Sequence, residues 1–248
     1  MISRTLQLVA ATLLTAATAS VCAQIQNDDV LGPKGPRNPA SHKPLANLKP
    51  GSNQWLWQFT QPGNPMNLLT EARFQALLSE NFKQPQAMWG TDAARPTLPQ
   101  VVTLFLDQHN EALQEDNRYF IADGCVRSFC PASGLLWIDL GVKHPLMIFA
   151  ARNWTTTAHT TDEANASYNL WLFANHTVTA DALPTAFTLA LSHWDMRLAA
   201  AHLGVPHIAH AVLVEPDGTP FALKPERTGA NTIAAQPDTV TPKPADND

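Results

Sequence analysis

RYFIADGCVRSFCPASGLLWIDL, residues 118 to 140, decides how the chain is read. Arg118 to Ala122 is rich in β-formers (Tyr119, Phe120, Ile121), and Leu135 to Leu140 is a second apolar and aromatic run. Between them stand Gly124 and two cysteines, Cys125 and Cys130, which enclose Val126, Arg127, Ser128 and Phe129. Upstream, Glu111 to Glu115 forms a hairpin with Arg118 to Ala122, turning at Asp116-Asn117. Downstream, Leu146 to Ala151 follows a turn at Gly141 to Pro145, and Tyr168 to Phe173 follows a polar loop. The connections are too short for crossover helices, so the sheet is expected to be antiparallel.

Helical periodicity flanks this run of strands. Leu68 to Phe82 carries Phe74, Leu77, Leu78 and Phe82 on one face, with Asn67 as N-cap and Pro85 as the stop. Leu98 to Gln108 is apolar and reads as a second short helix. Leu183 to Leu203 is the clearest, with Pro184 in its first turn, Gly204 at its C-cap and Pro206 beyond. Phe187, Leu191, Trp194 and Leu198 make its inward stripe. Ile208 to Val214 and Phe221 to Lys224 then close a last hairpin around Asp217-Gly218. The fold class is α+β: an antiparallel sheet with helices packed on it and a disulfide-closed loop between strands.

The ends have a different composition. Met1 to Ala23 has the parts of a cleavable secretory signal: Arg4, an apolar stretch from Leu6 to Ala19, and Val21-Cys22-Ala23 before the cut. That stretch is shorter than the roughly 20 residues a membrane-spanning helix needs, and no stable span is expected. Residues 24–54 contain Pro33, Pro36, Pro39, Pro44 and Pro50 with few large apolar residues, and residues 225–248 are similar. Both read as unfolded segments around one domain, residues 55–224. With 16 basic against 21 acidic residues, the net charge is −5 and no basic cluster suits a nucleic acid. The expected location is periplasmic or secreted.

In an oxidising compartment Cys125 and Cys130 read as a disulfide, Cys22 leaving with the signal. Closing so short a ring stabilises the fold by only about 2 kcal/mol. Its main effect is to fix the shape of the enclosed residues, and a rigid loop loses little entropy on binding. Val126, Arg127, Ser128 and Phe129 are therefore the candidate partner contacts. Two alternatives stand beside this reading: a staple with no binding role, and a Phe129 turned inward as core. The spacing does not suit a thioredoxin-like redox pair, and two cysteines alone do not make a zinc site.

The run from Ala72 to Leu78, the Pro85 to Trp89 exit, the strand Arg118 to Ile121, the six-residue cysteine loop and the strands after it resemble the periplasmic inhibitors of vertebrate lysozyme. The likeness covers about residues 68–152. It implies an α+β fold and a lysozyme-like enzyme as protein partner. In that family the loop is Cys-Lys-Pro-His-Asp-Cys, and its His enters the lysozyme cleft between two carboxylates. Here Arg127 stands at the Pro, Ser128 at the His and Phe129 at the Asp. Arg127 supplies a cation able to meet paired carboxylates.

Other constellations point elsewhere. His193 and Asp195 are two apart on a helix and do not face each other. His202 sits in a last helical turn, where the dipole favours it. His207 and His210, three apart at a strand start, are expected on opposite faces, and no metal site is assigned. Asp139, Asp162 and Glu163 are carboxylates near aromatic strands, without a spacing that makes a glycosidase pair. No catalytic residue and no cofactor is assigned. The leading expectation is a protein-binding inhibitor of a peptidoglycan-cleaving enzyme, followed by a cell-envelope structural or assembly factor, then a hydrolase.

Overall fold

The computed structural model describes residues 53–61, 68–154, 167–179, 183–201 and 207–231. The signal reading at residues 1–23 and nearly all of the leader lie outside them. Among the described residues seven strands form one sheet in chain order: β1 Gln108–Glu115, β2 Tyr119–Val126, β3 Phe129–Asp139, β4 Leu146–Trp154, β5 Ser167–Ala174, β6 His207–Val214 and β7 Pro220–Leu223. Among the described residues three α-helices pack on it: α1 Ala72–Asn81, α2 Leu98–Phe105 and α3 Thr185–Ala200. The α+β class expected from the sequence is what the chain adopts.

Both faces of the sheet are covered, which explains why β2 and β3 read as continuous apolar runs and not as alternating ones. One face carries Phe120, Leu136, Phe149 and Phe173 against α1, α2 and a 3-10 turn at Asn53–Thr60. The other carries Ile121, Trp137, Ile148 and Leu170 against α3. Phe187, Leu191, Trp194 and Leu198 of α3 are all buried, as their spacing requires. The β1–β2 turn is closed by Arg118 N–H donating to the Glu115 carbonyl at 3.0 Å. Asp116 and Asn117 adopt φ of 52° and 51° there, a conformation those two residue types tolerate.

Three expectations need correction. Strands β5 and β6 are parallel, because α3 lies in the connection between them and carries the chain back across the sheet. The first helix begins at Ala72, with Glu71 as its N-cap and a separate 3-10 turn at Leu68–Thr70, while Asn67 lies outside the described residues. The packed chain also continues past Lys224. Thr228 and Ala230 are buried, Gly229 has φ +82° and passes close to Thr188, and the Asn231 side chain bonds both the N–H and the carbonyl of Ile208. Residues 225–231 are thus part of the fold, and residues 232–248 lie outside the described residues.

The position of α2 depends on two glycines. Gly124 of β2 pairs with Gly134 of β3, which pairs with Ala151 of β4. This shallow row receives the last turn of α2. A Cβ on Gly134 would come within 2.8 Å of Phe105 Cβ and 2.9 Å of Phe149 Cε2. A Cβ on Gly124 would come within 2.9 Å of the Leu106 Cα and carbonyl oxygen, which are backbone and cannot rotate away.

Gly124→Ala and Gly134→Ala should each lower unfolding free energy by about 1–3 kcal/mol, the usual range for an overfilled core, in guanidinium titrations. Alanine tolerated at Gly124 without measurable loss would contradict the close backbone approach.

Candidate functional site

Strands β2 and β3 end in a tight hairpin, with Val126 paired to Phe129 and Arg127-Ser128 at the turn. Cys125 and Cys130, the residues flanking that pair, are bonded, with Cα atoms 4.8 Å apart. Pro131 follows directly, has no N–H to donate, and coincides with a break in the ladder: pairing resumes only at Cys125 with Ser133. The bulge and the disulfide together set off a short tip. Ser128 adopts φ 63°, costly for a residue with a Cβ. Its N–H donates to Gln108 Oε1 at 2.7 Å, which holds the strained turn in place.

The four proposed contact residues do not share one environment. Val126 is buried against the α1 and α2 face and is withdrawn as a partner contact. It lies on the same side of β2 as Phe120 and Ala122, so strand alternation turns it inward. Arg127 and Ser128 are exposed. Phe129 is 38% exposed, which sets aside the inward-folded alternative for that ring. The Arg127 side chain is 73% exposed, yet it is not loose. Its Nε–H donates to Asp107 Oδ2 at 2.7 Å and its Nη2–H to Asp107 Oδ1 at 3.1 Å. This contact holds the Asp107 carboxyl below its ordinary titration range and raises that of Arg127. Asp107 also lines a groove of about 1110 Å³ beside α1 and α2, together with Gln75, Ser79, Gln100 and Thr103 among others.

Sequence reasoning missed Asp107 and Gln108, placing both in a helix. A signal was available. Counting outward from the Asp116-Asn117 turn sets Gln108 opposite Val126, one residue from its actual partner Cys125. Asp107, just before β1, and Gln108, its first residue, thus grip consecutive residues of the tip.

The remaining polar residues hold the fold together. Asp139 accepts from Arg118 Nε and Nη2, both at 2.7 Å, and from Gly141 N–H at 2.8 Å. Asp162 and Glu163 lie outside the described residues. His193 Nδ1 is 3.0 Å from Glu115 Oε1 on the outer side of α3. Asp195 points the other way and is 2% exposed, as the two-residue spacing requires. His207 and His210 depart from expectation: His207 pairs with Ser167 and His210 with Asn169, so a bulge between them puts both on one side of β6.

Asp195 is the most perturbed acid. Burial pushes its carboxyl up to about 8, opposed by the Arg152 guanidinium. Its Oδ2 has no hydrogen-bond partner among the described residues. Arg152, itself fully buried, stacks over Tyr168 at 4.5 Å and near Trp194 at 5.8 Å. The aromatic faces share the stabilisation of that cation, so a neutral Asp195 is tolerable beside it.

No family model matches the chain, and neither a curated protein nor a solved structure does.

Two outcomes follow from this geometry. Protein from its native compartment should show no free thiol at Cys125 or Cys130 by alkylation and mass spectrometry; two alkylated thiols would remove the basis for a rigid tip. The folded chain holds the Asp195 proton more tightly than the unfolded one, so this group's contribution is complete below about pH 4. It is lost as pH rises through about 8. Asp195→Asn, which cannot ionise, should flatten the fall in stability across that window, and an unchanged profile would show that Asp195 is already ionised in the fold.

Proposed function

We propose that this is an exported protein that binds another protein through the β2–β3 tip, and that the partner is a lysozyme or another peptidoglycan-cleaving enzyme. The observation that carries the reading is the exposed, braced Arg127-Ser128-Phe129 turn, held by a disulfide beneath it and by Asp107 and Gln108 beside it. A turn with its backbone and its arginine already ordered pays little further entropy on docking. Arg127 supplies a permanent cation in a planar fork, and Phe129 an apolar neighbour with part of its ring in solvent. That pairing suits a cleft with carboxylates at its floor and apolar walls, the arrangement glycoside hydrolases use to cleave their substrates. The chain's acidic balance of −5 favours encounter with a cationic partner. The composition of residues 1–23 and the disulfide agree with a periplasmic or secreted setting.

In inhibition assays against a panel of lysozymes and lytic transglycosylases, Arg127→Ala should weaken inhibition by well over tenfold. Removing one member of a desolvated charge pair typically costs about 2–5 kcal/mol of binding. The melting temperature should scarcely move, because solvent screens so exposed an ion pair and it contributes little to folding. Wild-type protein that leaves every enzyme of the panel active at micromolar concentration overturns the inhibitor reading, and leaves an envelope structural or assembly factor as the next one to test.

A further inference from the structure

Resting on the reading of the tip as a protein-binding device, we propose that Asp107 is a positioning residue that orients Arg127 to receive a second carboxylate, one supplied by the partner. The guanidinium fork has five N–H donors. The bonds to Asp107 use Nε and one hydrogen of Nη2, the side edge of the fork. The two Nη1 hydrogens and the outer hydrogen of Nη2 remain; one from each nitrogen forms the terminal edge, which is also able to chelate a carboxylate in two parallel bonds. Asp107 therefore fills the edge nearer the backbone and leaves the one farther out.

Three features suit Asp107 to this task. It stands directly after α2, whose last turn is fixed against Gly124 and Gly134, so its backbone has a defined place. Gln108, the next residue, holds the backbone of Ser128, so side chain and turn are gripped from one side. The Asp107 carboxyl is kept below its ordinary range by Arg127, so it stays ionised through neutral and mildly acidic conditions. An arginine without such a brace is among the costliest side chains to order on binding. Exposed as it is, the pair adds little to folding, and the contact is better explained by what it does for the tip.

A double-mutant cycle on binding tests this, using whichever panel enzyme the wild-type protein inhibits, a vertebrate lysozyme first. Asp107→Ala should weaken binding about threefold to tenfold, the effect of ordering one long side chain. In an Arg127→Ala background the same change should have no effect, since Asp107 acts only through Arg127. Asp107→Asn keeps an acceptor for Nε and should retain most of the affinity. The Arg127 Nε–Hε signal in nitrogen-15 NMR should be resolved in the wild type and averaged in Asp107→Ala. Equal losses in both backgrounds would overturn the proposal while leaving the tip as the binding element. Tighter binding in both Asp107 variants would show that the carboxylate competes with the partner, and would overturn it too. If the wild type inhibits no enzyme of the panel, the functional reading fails and this inference falls with it.

Discussion

The last turn of α2 lies directly against the backbone of β2 and β3, and most of what distinguishes this molecule follows from that contact. Side chains normally hold a helix off the sheet it covers. Here Gly124 and Gly134 remove two side chains from neighbouring positions, and Phe105 and Leu106 drop into the space. The helix then stops close to the sheet, so the chain enters β1 at once, with Asp107 and Gln108 beside the far end of the β2–β3 hairpin. Any side chain on Gly124 would lift the helix end, and the two residues that hold the tip would move with it.

The opposite face is organised by polar side chains of α3, a helix with one buried and one exposed side. Arg197 of α3 donates from Nε to Asp123 Oδ2 at 3.1 Å, and burial raises the Asp123 carboxyl while Arg197 draws it back down. His193 reaches Glu115 on β1. Asp195 and Trp194 sit over Arg152 of β4. Each contact fixes a different strand, so α3 is held in register along and across the sheet, where apolar packing alone is non-directional. A partly buried ion pair such as Arg197–Asp123 is by itself a poor source of stability, since burial costs the two charges much of what their attraction returns.

Much of this was legible in the sequence, for identifiable reasons. The stripe of α3 announced itself because Phe187, Leu191, Trp194 and Leu198 repeat at the helical period. The β1–β2 turn was legible because Asp and Asn are among the few residues that accept its backbone angles. The disulfide followed from two cysteines five apart after a strand. What escaped was set by contacts distant in sequence. Which neighbour β5 takes depends on where α3 delivers the chain, and the sixteen residues of that helix were themselves the crossover that a parallel pair needs. The side of the sheet on which His210 falls depends on a one-residue bulge that no local pattern encodes. Asp107 and Arg127 are twenty residues apart, and they meet only because a hairpin register and a helix end coincide. The burial of Thr228 and Ala230 was hidden by polar, proline-containing neighbours.

The parallel pairing of β5 and β6 bears on how the chain reaches this structure. Strands β1 to β5 are joined in sequence and each pairs with the one before it, so their contacts close short loops. β6 closes a long one, and its loop-closure entropy must be met before the new strand pair repays it. In any state with β6 undocked, β5 is an edge. Its unpaired N–H and carbonyl groups flank Leu170, Leu172 and Phe173, an apolar strand of the sort that recruits other chains. Docking of α3 and β6 covers that edge, and the Asn231 clasp on Ile208 holds β6 beside it.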